Sequence, residues 1–299
     1  MSSPSGHAVH LSAGGYEAVV VEVGAGLRSL TRGGLDVVAG YGPEEMATGG
    51  RGQLLLPWPN RIRDGRYAFG GREHQLPLSE PARRNASHGL TRWVNWSLLD
   101  HDASSAIWGY TLHPQPGYPF LLELTVGYQV TPDGLTVDVT ATNLGDDAAL
   151  YGHGAHPYLT VGRRIDECEL LLPATARCEV DDRKLPGPAA DVRGTAFDFT
   201  RSRVIGTTII DHPFTGVLAD EDGTTQSILR DPDTGRTAML WADAAYPWLQ
   251  VFSGDDLATG ARGSLAVEPM TCPPDAFNSG VDLVVLQPGE SDTGRFGIR

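Results

Sequence analysis

Two runs of alternating apolar and polar residues, joined by a tight turn, constrain the fold of this chain more than any other feature. The first run occupies residues 120–130, the second occupies residues 135–140, and Thr-Pro-Asp-Gly lies between them at 131–134. Successive strand residues point to opposite faces, so each run presents one apolar face. The pattern predicts a β-hairpin. Its apolar positions are Leu122, Leu124, Val126, Tyr128, Val130, Leu135, Val137 and Val139.

Short runs of the same texture recur along the chain, whereas helix signals are nearly absent. Glycines and prolines, 37 and 21 in number, supply frequent turns between them. We therefore predict an all-β fold of many short antiparallel strands, in a single domain over residues 1–299. One helical turn is expected around residues 41–48. The further predicted strands are 16–23, 169–172, 204–210, 236–242, 248–253 and 264–268.

The charge balance excludes several classes of function. Acidic residues number 37 and Lys plus Arg 23, so the formal net charge is −14. Nucleic acids and anionic membranes attract clustered basic residues, so neither is expected as a partner. Lys184 is the only lysine and lies in a polar, turn-like segment, which argues against a buried Schiff-base lysine.

Cysteine usage and hydropathy bear on the compartment. The three cysteines, Cys168, Cys178 and Cys272, form no CxxC pair, which disfavours a disulfide scaffold and favours a reducing compartment. The N-terminus lacks the basic and apolar regions of a signal peptide. No apolar run approaches the roughly 20 residues of a membrane helix. We therefore expect a cytoplasmic protein, either a monomer or a small homo-oligomer.

Four segments carry polar side chains that a purely structural β-protein would not need, and the first presents an arginine. In residues 54–71 an apolar run enters a Pro-Trp-Pro corner and then presents Asn60 and Arg61. The prolines stiffen the corner and so hold the guanidinium in place. Such a group either donates to the oxygens of a polar ligand or pairs with a carboxylate at a strand end.

Histidines stand in the next two segments. His88 precedes Gly89 in a loop, where glycine allows a close backbone approach. His156 is followed by proline, which restricts it to extended geometry and aims its imidazole away from the strand. His153 lies three residues earlier, but without a nearby Cys or carboxylate at ligand spacing this pair is weak evidence for a metal. No metal site is predicted.

The fourth segment, residues 264–280, carries a carboxylate. An apolar strand is expected to end at Glu268, which is followed by proline, so that the carboxylate lies at the lip of the sheet. A Pro-Pro loop follows and would cover it. A carboxylate shielded from water has a raised pKa and can act as a general base, although a solvent-exposed glutamate at a strand end is the alternative.

These segments together supply one carboxylate, two imidazoles and one arginine. No nucleophilic Ser or Cys motif, phosphate loop or metal cluster accompanies them. Such a set can transfer protons to and from a neutral polar substrate, and it requires no cofactor.

The order of the motifs resembles the aldose 1-epimerase (galactose mutarotase-like) family over essentially the whole chain. The matching segments are PWPNRI, the His-Gly of NASHGL, GHGAHPY, AVEPMTCPPDAFN and the late QPGES. The resemblance implies a large antiparallel β-sandwich, the galactose mutarotase-like supersandwich, with an open cleft over one sheet. It also implies an isomerase that interconverts the α and β anomers of a free aldohexose.

The resemblance also implies roles for particular residues. In this family a glutamate is the base and a histidine the acid, and the matching positions are Glu268 and His156. A second family histidine matches His88. The arginine that contacts the sugar matches Arg61, with Asn60 beside it.

Further matches are less direct. A family aspartate that binds sugar hydroxyls lies in an Asp-His-x-Phe segment, which here is 211–214 and points to Asp211. Three aromatic residues are candidates to line the pocket, although core packing is the default for each of them: Trp58, Tyr158 and Trp248.

Two alternative functions are also compatible with the sequence. Galactose-acting members commonly have Gly-Gly after the loop histidine, whereas Gly-Leu-Thr-Arg follows His88 and looks closer to relatives such as the hexose-6-phosphate 1-epimerases. Arg83, Arg84 and Arg92 would then form a cationic pocket for a phosphate. A non-catalytic sugar-binding protein on the same scaffold is the other alternative. A glycoside hydrolase is disfavoured because that chemistry commonly uses two carboxylates, and Glu268 is the one strong candidate here.

Overall fold

A computed structural model describes residues 3–299 of the chain. Its elements are nearly all β-strands, apart from 3₁₀ segments at Pro81–Arg83 and Ile165–Glu167 and the α-helical turn α1 at Ala276–Ser279. The strands are β1 (Ala8–Ala13), β2 (Tyr16–Val21), β3 (Leu27–Arg32), β4 (Leu35–Val38), β5 (Leu54–Leu55), β6 (Arg61–Arg63), β7 (Arg66–Phe69), β8 (Arg72–Gln75), β9 (Asn85–Ser87), β10 (Ser97–His101), β11 (Ser105–Leu112), β12 (Leu122–Thr131), β13 (Gly134–Asn143), β14 (Ala149–Tyr151), β15 (Gly154–Ala155), β16 (Tyr158–Leu159), β17 (Glu169–Leu171), β18 (Ala174–Val180), β19 (Pro186–Asp191), β20 (Arg203–Val204), β21 (Asp211–Val217), β22 (Thr225–Arg230), β23 (Thr237–Ala242), β24 (Trp248–Phe252), β25 (Leu265–Met270), β26 (Val284–Leu286) and β27 (Ser291–Ile298).

Two large antiparallel sheets account for most of these strands. The 12-stranded sheet follows the order β1-β2-β3-β4-β16-β25-β24-β21-β18-β19, with β15 paired to β25 and β5 paired to β15. The 9-stranded sheet follows the order β10-β11-β12-β13-β27-β23-β22-β17-β20. Three further strand pairs, β14–β26, β6–β9 and β7–β8, lie outside these sheets. The predicted all-β fold with large antiparallel sheets is confirmed.

The predicted hairpin is the β12–β13 pair in the 9-stranded sheet. Its register runs from Leu122 opposite Asn143 to Thr131 opposite Gly134, so the turn lies where the Pro-Asp-Gly motif predicts it. Burial alternates along both strands, as expected for strands with one face in the core. The Tyr128 hydroxyl donates to the Ala25 carbonyl at 2.6 Å, which ties this sheet to the β2–β3 connection of the other.

Most of the other predicted strands are also present. The segments around 16–23, 169–172, 236–242, 248–253 and 264–268 contain β2, β17, β23, β24 and β25. The prediction for 204–210 is wrong beyond Val204, where β20 ends. The Ile205 N–H donates to the Cys168 carbonyl, and Gly206, with a φ of +58°, then turns the chain away from the sheet.

The helical turn predicted around residues 41–48 is wrong. This segment makes a single turn in which the Glu45 N–H donates to the Gly42 carbonyl at 3.1 Å. The Glu45 carboxylate accepts a hydrogen bond from the Gly42 N–H at 2.8 Å and so closes the turn on itself. Side-chain bonds to nearby backbone groups of this kind compete with continuation into a helix. No helix within residues 3–299 is long and apolar enough to cross a membrane.

The middle of the 12-stranded sheet forms the platform for the polar residues. Here β16, β25, β24 and β21 are consecutive neighbours. Gln250 of β24 lies opposite Glu268 of β25, and Asp211 of β21 lies opposite Phe252. The alternate residues, such as Val251 and Val267, belong to the hydrophobic core. Because neighbouring strands are in register, polar residues that are distant in sequence share the other face.

Candidate active site

A cavity of about 330 Å³ opens over this polar face of the 12-stranded sheet. All six residues singled out from the sequence line it, together with the aromatic candidate Tyr158. The other two aromatic candidates are core residues, since Trp58 and Trp248 are only 2% and 7% exposed and neither lines the cavity. The six lining residues are Asn60, Arg61, His88, His156, Asp211 and Glu268.

His156 and Glu268 are in direct contact in the cavity wall. The Nε2 atom of His156 lies 3.3 Å from the Oε1 atom of Glu268, and the two side chains are 7% and 2% exposed. The other polar atoms of the pair, Nδ1 of His156 and Oε2 of Glu268, are buried without a hydrogen-bond partner. Buried polar atoms normally have partners, so this pair has unused capacity for a ligand.

Backbone and ring contacts fix the imidazole of His156. The residue lies between β15 and β16, where its N–H donates to the Gln53 carbonyl at 2.9 Å and its carbonyl accepts from Gly52 at 3.0 Å. Its ring stacks on Tyr158, with centroids 4.9 Å apart. A Cβ atom added to Gly50 would lie 2.6 Å from Cδ2 of His156, so the backbone itself packs against the ring. The acid candidate is therefore held in one orientation.

Glu268 lies inside a strand, and the prediction that the strand ends there is wrong. β25 continues through Pro269 to Met270, which pairs with Trp248 of β24 and with Gly154 of β15. Proline has a fixed φ that is compatible with extended backbone, so it does not end the strand as it would end a helix. The carboxylate consequently lies over the middle of the sheet instead of at its lip.

Burial disfavours the charged form of both members of the pair. It raises the pKa of Glu268 well above the ordinary value, with Asp211 acting in the same direction and Arg61 opposing it. Burial likewise lowers the pKa of His156 to about 3, and nearby Arg92 adds to the effect. Both shifts act in the same direction and favour the state in which the pair holds one proton, with a neutral carboxyl group beside a neutral imidazole.

His88 occupies the wall next to His156, with ring centroids 5.7 Å apart. Its backbone has a φ of +60°, and its N–H donates to the Asn60 carbonyl at 2.7 Å. Burial lowers the pKa of His88 well below the ordinary value, and the charge of Arg92 lowers it further. His88 is thus a neutral imidazole near pH 7, able to donate one hydrogen bond and accept another.

Gly89 makes this arrangement possible, and Gly89→Ala should destabilise the fold strongly. Gly89 has a φ of +71°, and an added Cβ would lie 1.9 Å from the Leu56 carbonyl oxygen. The strain of a left-handed backbone at alanine and the overpacking against Leu56 together should lower the free energy of unfolding by about 2–4 kcal/mol. For a chain of this size we expect the midpoint of thermal unfolding to fall by roughly 5–10 °C.

Gly71→Ala is the matched control for this substitution. Gly71 has a φ of +76° but open space around its missing side chain, so only the backbone strain applies there. Calorimetry on both variants separates the two costs. Equal shifts in the two variants would contradict the close approach of Gly89 to Leu56.

The guanidinium of Arg61 is paired, as the alternative interpretation of the sequence allowed. Its Nε and Nη2 atoms donate to the Glu80 carboxylate at 2.7 and 3.1 Å, and Nη1 donates to Asn60 at 3.3 Å. Burial alone would raise the pKa of Glu80, but the bonds and charge of Arg61, with help from Arg83, hold it at about 2. Glu80 is therefore ionised, and the fork expected to be free for a ligand is largely occupied.

Asp211 is held by a residue that the sequence placed in a surface turn. The Nζ atom of Lys184 lies 2.8 Å from Oδ2 of Asp211, and Gln250 donates to Oδ1 at 2.9 Å. The turn between β18 and β19 thus carries the only lysine to the edge of the cavity. Oε1 of Gln250 remains buried without a partner and, like Asp211, lines the cavity.

His153 does not share a ligand site with His156. Its Nε2 atom lies 2.9 Å from the Tyr246 hydroxyl, and its ring is fully buried on the side of β27, while the ring of His156 lines the cavity. Within residues 3–299, no group of three or more His, Cys, Asp or Glu side chains is arranged to hold a metal ion.

Sequence reasoning missed Glu80, Gln250 and the contact made by Lys184. Gln250 left a detectable signal, because it is a polar residue within the otherwise apolar run WLQVF. Glu80 and Lys184 left none, since each meets its partner through a contact that depends on how separate segments pack.

Comparison with known proteins gives one consistent family. The sequence matches the family model described as aldose 1-epimerase over residues 7–299. The uncharacterised protein YihR of Escherichia coli (strain K12) is 40% identical over 296 residues, which cover 98% of this chain and 93% of YihR. The galactose mutarotase of Mus musculus is 24% identical over 256 residues, which cover 77% of this chain and 73% of that protein.

Solved structures show the same fold. A putative aldose 1-epimerase from Escherichia coli K12 has a TM-score of 0.85 to this chain at 24% identity, and the match covers 98% of each chain. At this identity the likeness shows a shared architecture. It agrees with the two antiparallel sheets described above.

Proposed function

The chain belongs to the aldose 1-epimerase family, and from this premise we propose that it is a mutarotase, interconverting the α and β anomers of a free aldose. The observation that carries the proposal is the buried contact between His156 and Glu268, 3.3 Å apart in the wall of an open cavity. A protein that only binds sugar needs hydroxyl-binding groups but has no need of a desolvated acid–base pair.

Mutarotation needs two proton transfers. One proton leaves the C1 hydroxyl and another arrives on the ring oxygen, so that the C1–O5 bond breaks and an open-chain aldehyde forms. We assign the first transfer to Glu268 as base and the second to His156 as acid. Rotation about C1–C2 then presents the other carbonyl face, and the reversed transfers close the ring. Atoms and charge balance because the pair ends each cycle as it began.

The single proton of the pair suits this exchange. Before the ring opens, the proton must be on His156 and Glu268 must be ionised. After the ring has opened to the aldehyde, the proton is on Glu268. Burial penalises both charges, while their mutual attraction at 3.3 Å favours the ion pair. The two distributions differ only by the two transfers with the sugar, which together move one proton from His156 to Glu268. The cavity therefore need not exchange protons with bulk water during turnover.

Other residues would hold the sugar and stabilise the changing charge on its oxygens. His88 is a neutral imidazole beside His156 and can donate to the ring or C1 oxygen. Asp211 and Gln250 offer acceptor oxygens to hydroxyls on the Glu268 side. Arg61 keeps Nη1 partly available while Glu80 fixes its plane. Fixed groups of this kind lower the entropic cost of reaching the reactive geometry.

Polarimetry on freshly dissolved α-D-glucose and α-D-galactose tests the proposal. Purified chain should hasten the approach to the equilibrium rotation of at least one of these sugars above the rate in buffer. Loss of the acceleration in a folded Glu268→Gln variant would tie the activity to this cavity. Absence of catalysis towards every free aldose tried would overturn the proposal and favour a sugar-binding protein.

A hexose-6-phosphate 1-epimerase receives less support from the cavity. Of the three arginines considered for a phosphate pocket, Arg84 points away to Asp64 and is 71% exposed. Arg83 lines the cavity but is paired with Glu80 at 2.7 Å. Only Arg92 remains as an unpaired cation, whereas a phosphate monoester carries nearly two negative charges at neutral pH.

The raised pKa of Glu268 predicts a pH-dependent cost in stability. A folded-state pKa above the unfolded value means that the native state binds the proton more tightly than the unfolded chain does. The contribution of Glu268 to stability is therefore fully present below about pH 4.3, and it is lost as the pH rises through the folded pKa. Glu268→Gln removes that loss. We expect its unfolding midpoint to match the wild type near pH 4.5 and to exceed it by at least about 2 °C near pH 8.

Glu80→Gln is the control of opposite sign. The pKa of Glu80 is held at about 2, so its contribution is present above the unfolded pKa and is lost as the pH falls through the folded pKa. This variant should therefore be less stable than the wild type at pH 8 and approach it at low pH. Thermal unfolding at a series of pH values measures both. A Glu268→Gln variant that is less stable than the wild type at pH 8 would contradict the raised pKa.

A further inference from the structure

A second cavity, with a volume of about 410 Å³, lies over the outer face of the 9-stranded sheet. The candidate active site lies over the other large sheet, so the two cavities are on opposite sides of the sandwich. Sites for small molecules commonly have volumes of about 300–1,000 Å³. None of the residues that line this outer groove belongs to the family motifs. They are Asp138, Thr224, Trp241, Asp243, Thr293 and Arg295.

The indole of Trp241 forms the floor of the outer groove. Trp241 lies opposite Gly297 in the register of β23 and β27, and a Cβ atom added to Gly297 would lie 2.3 Å from Nε1 and 2.4 Å from Cε2 of the indole. The ring therefore lies across the neighbouring strand instead of standing upright on its own. Gly297 is buried, although Thr293 and Arg295 on the same face of β27 are exposed. Because one face of the ring covers Gly297, the other face is turned to the cavity.

Hydrogen-bond donors and acceptors surround this indole. The Nε atom of Arg295 donates to Oδ1 of Asp138 at 2.6 Å, and the Arg295 side chain is 58% exposed. The Asp243 carboxylate accepts two backbone N–H groups at 3.0 Å each, which hold it in place. The Thr293 hydroxyl shares one hydrogen bond of 2.9 Å with a neighbouring threonine, and a hydroxyl has capacity for more. The groove thus combines an aromatic floor with fixed polar groups of both kinds.

The charges of the outer groove disfavour an ionic ligand. Asp138 and Asp243 against Arg295 give one net negative charge, on a chain whose formal charge is −14, so an anion is repelled. Both carboxylates already accept hydrogen bonds, from a guanidinium and from backbone N–H groups, so neither is free to neutralise a cation. A neutral ligand that carries hydroxyl groups can use the donors and the acceptors together.

We propose that the outer groove is a second carbohydrate-binding site, which takes a neutral pyranose ring. A pyranose has two faces formed by C–H groups and an edge formed by hydroxyl groups. One C–H face fits the open face of Trp241, while the hydroxyls at the edge fit Arg295, Asp243 and Thr293. A tryptophan supplies a large, rigid contact area of this kind at low cost in conformational entropy. The proposal concerns binding alone and does not depend on the mutarotase function.

Fluorine NMR of protein labelled with 5-fluorotryptophan reports on both cavities in one experiment. Trp93 lines the candidate active site and Trp241 lines the outer groove, so their signals respond to ligands at different places. Trp93→Phe and Trp241→Phe assign these two signals. The other four of the six tryptophans are buried and serve as internal references: Trp58, Trp96, Trp108 and Trp248.

The probes are methyl α-D-glucopyranoside, methyl β-D-glucopyranoside and maltotriose, with tetramethylammonium chloride as the cationic comparison. A methyl glycoside has no free anomeric hydroxyl, so its binding is measured without turnover. We expect the pyranosides to shift the Trp241 signal to saturation with a dissociation constant of about 1–10 mM, an ordinary affinity for a ligand of about a dozen non-hydrogen atoms. The shift should persist in Trp93→Phe, because the two sites are separate.

Two substitutions test the polar groups while the Trp241 signal remains as the reporter. Thr293→Ala should weaken binding by about 2–10-fold, the usual effect of losing a neutral hydrogen bond. Arg295→Gln should weaken it by about 10-fold, and the backbone N–H that holds Asp243 stays in place. Thr125→Ala is the matched control, because Thr125 is a half-buried threonine of β12 in the same sheet that does not line the groove. It should leave the dissociation constant unchanged.

Three outcomes would overturn the proposal. They are the absence of a saturable Trp241 shift with every pyranoside at tenfold the expected dissociation constant, a shift with tetramethylammonium alone, and equal affinities in Thr293→Ala, Arg295→Gln and Thr125→Ala. If one of the first two variants folds poorly, the other variant and the wild-type titrations decide the matter. A failure of mutarotase activity concerns the cavity of the 12-stranded sheet and leaves this result unaffected.

Discussion

Glu268→Gln should lower kcat for anomer exchange by about 10²–10⁴-fold, the usual contribution of a positioned general base. The amide keeps the shape of the side chain but cannot accept the C1 hydroxyl proton. Glu268 is 2% exposed and lies in the middle of β25, opposite Gln250, so the isosteric change should leave the strand and its neighbours in place. The loss should therefore fall on kcat with little change in KM.

Two controls make this result interpretable. Glu123→Gln removes a carboxylate from the exposed side of β12, in the other sheet, and should leave turnover unchanged. Circular dichroism and thermal unfolding establish that Glu268→Gln is folded. Turnover by that folded variant within about threefold of the wild type would remove Glu268 from the mechanism.

His156→Asn should produce a loss of similar size, about 10²–10⁴-fold in kcat, because the variant lacks the acid that protonates the ring oxygen. The double variant with Glu268→Gln is the more informative measurement. Residues that act as one unit give strongly non-additive losses, since removing either one already disables the shared step. We expect the double variant to be little worse than the poorer single variant.

Additive losses in that cycle would show that the two residues act on separate steps. Near-normal turnover in folded His156→Asn would assign the acid elsewhere, and His88 would be the next candidate because its ring lies 5.7 Å from that of His156. Polarimetry and exchange spectroscopy at saturating sugar both measure kcat, and substrate titration separates it from KM.

Local patterns were enough to predict the strands whose burial alternates. In β12 and β13 every second residue is apolar, and the turn residues leave few alternatives to a hairpin, so the prediction and the structure agree to within a few residues. The segment at 204–210 has a similar composition, but Gly206 turns the chain and no strand forms beyond Val204. A pattern specifies how a segment can pack, whereas pairing depends on a neighbour in register.

The family motifs were likewise enough to name six of the residues that line the cavity. Each lies in a short segment with its own recognisable sequence, such as the His-Gly of His88 or the Glu-Pro of Glu268. The sequence did not predict the surroundings of these residues equally well. The sequence predicted a carboxylate at the lip of the sheet, and the structure places Glu268 within a strand against His156.

The sequence by itself determined an antiparallel β-protein and six of the polar residues that line its cavity, because alternation and motif order are properties of the chain. Only the tertiary structure decided which charges are matched. Glu80 neutralises Arg61 across 19 residues, Lys184 reaches Asp211, and Arg92 is left without a carboxylate. Ion pairing depends on distances of a few ångströms between segments that only folding brings together, and these distances set the pKa values and the charge that a substrate meets.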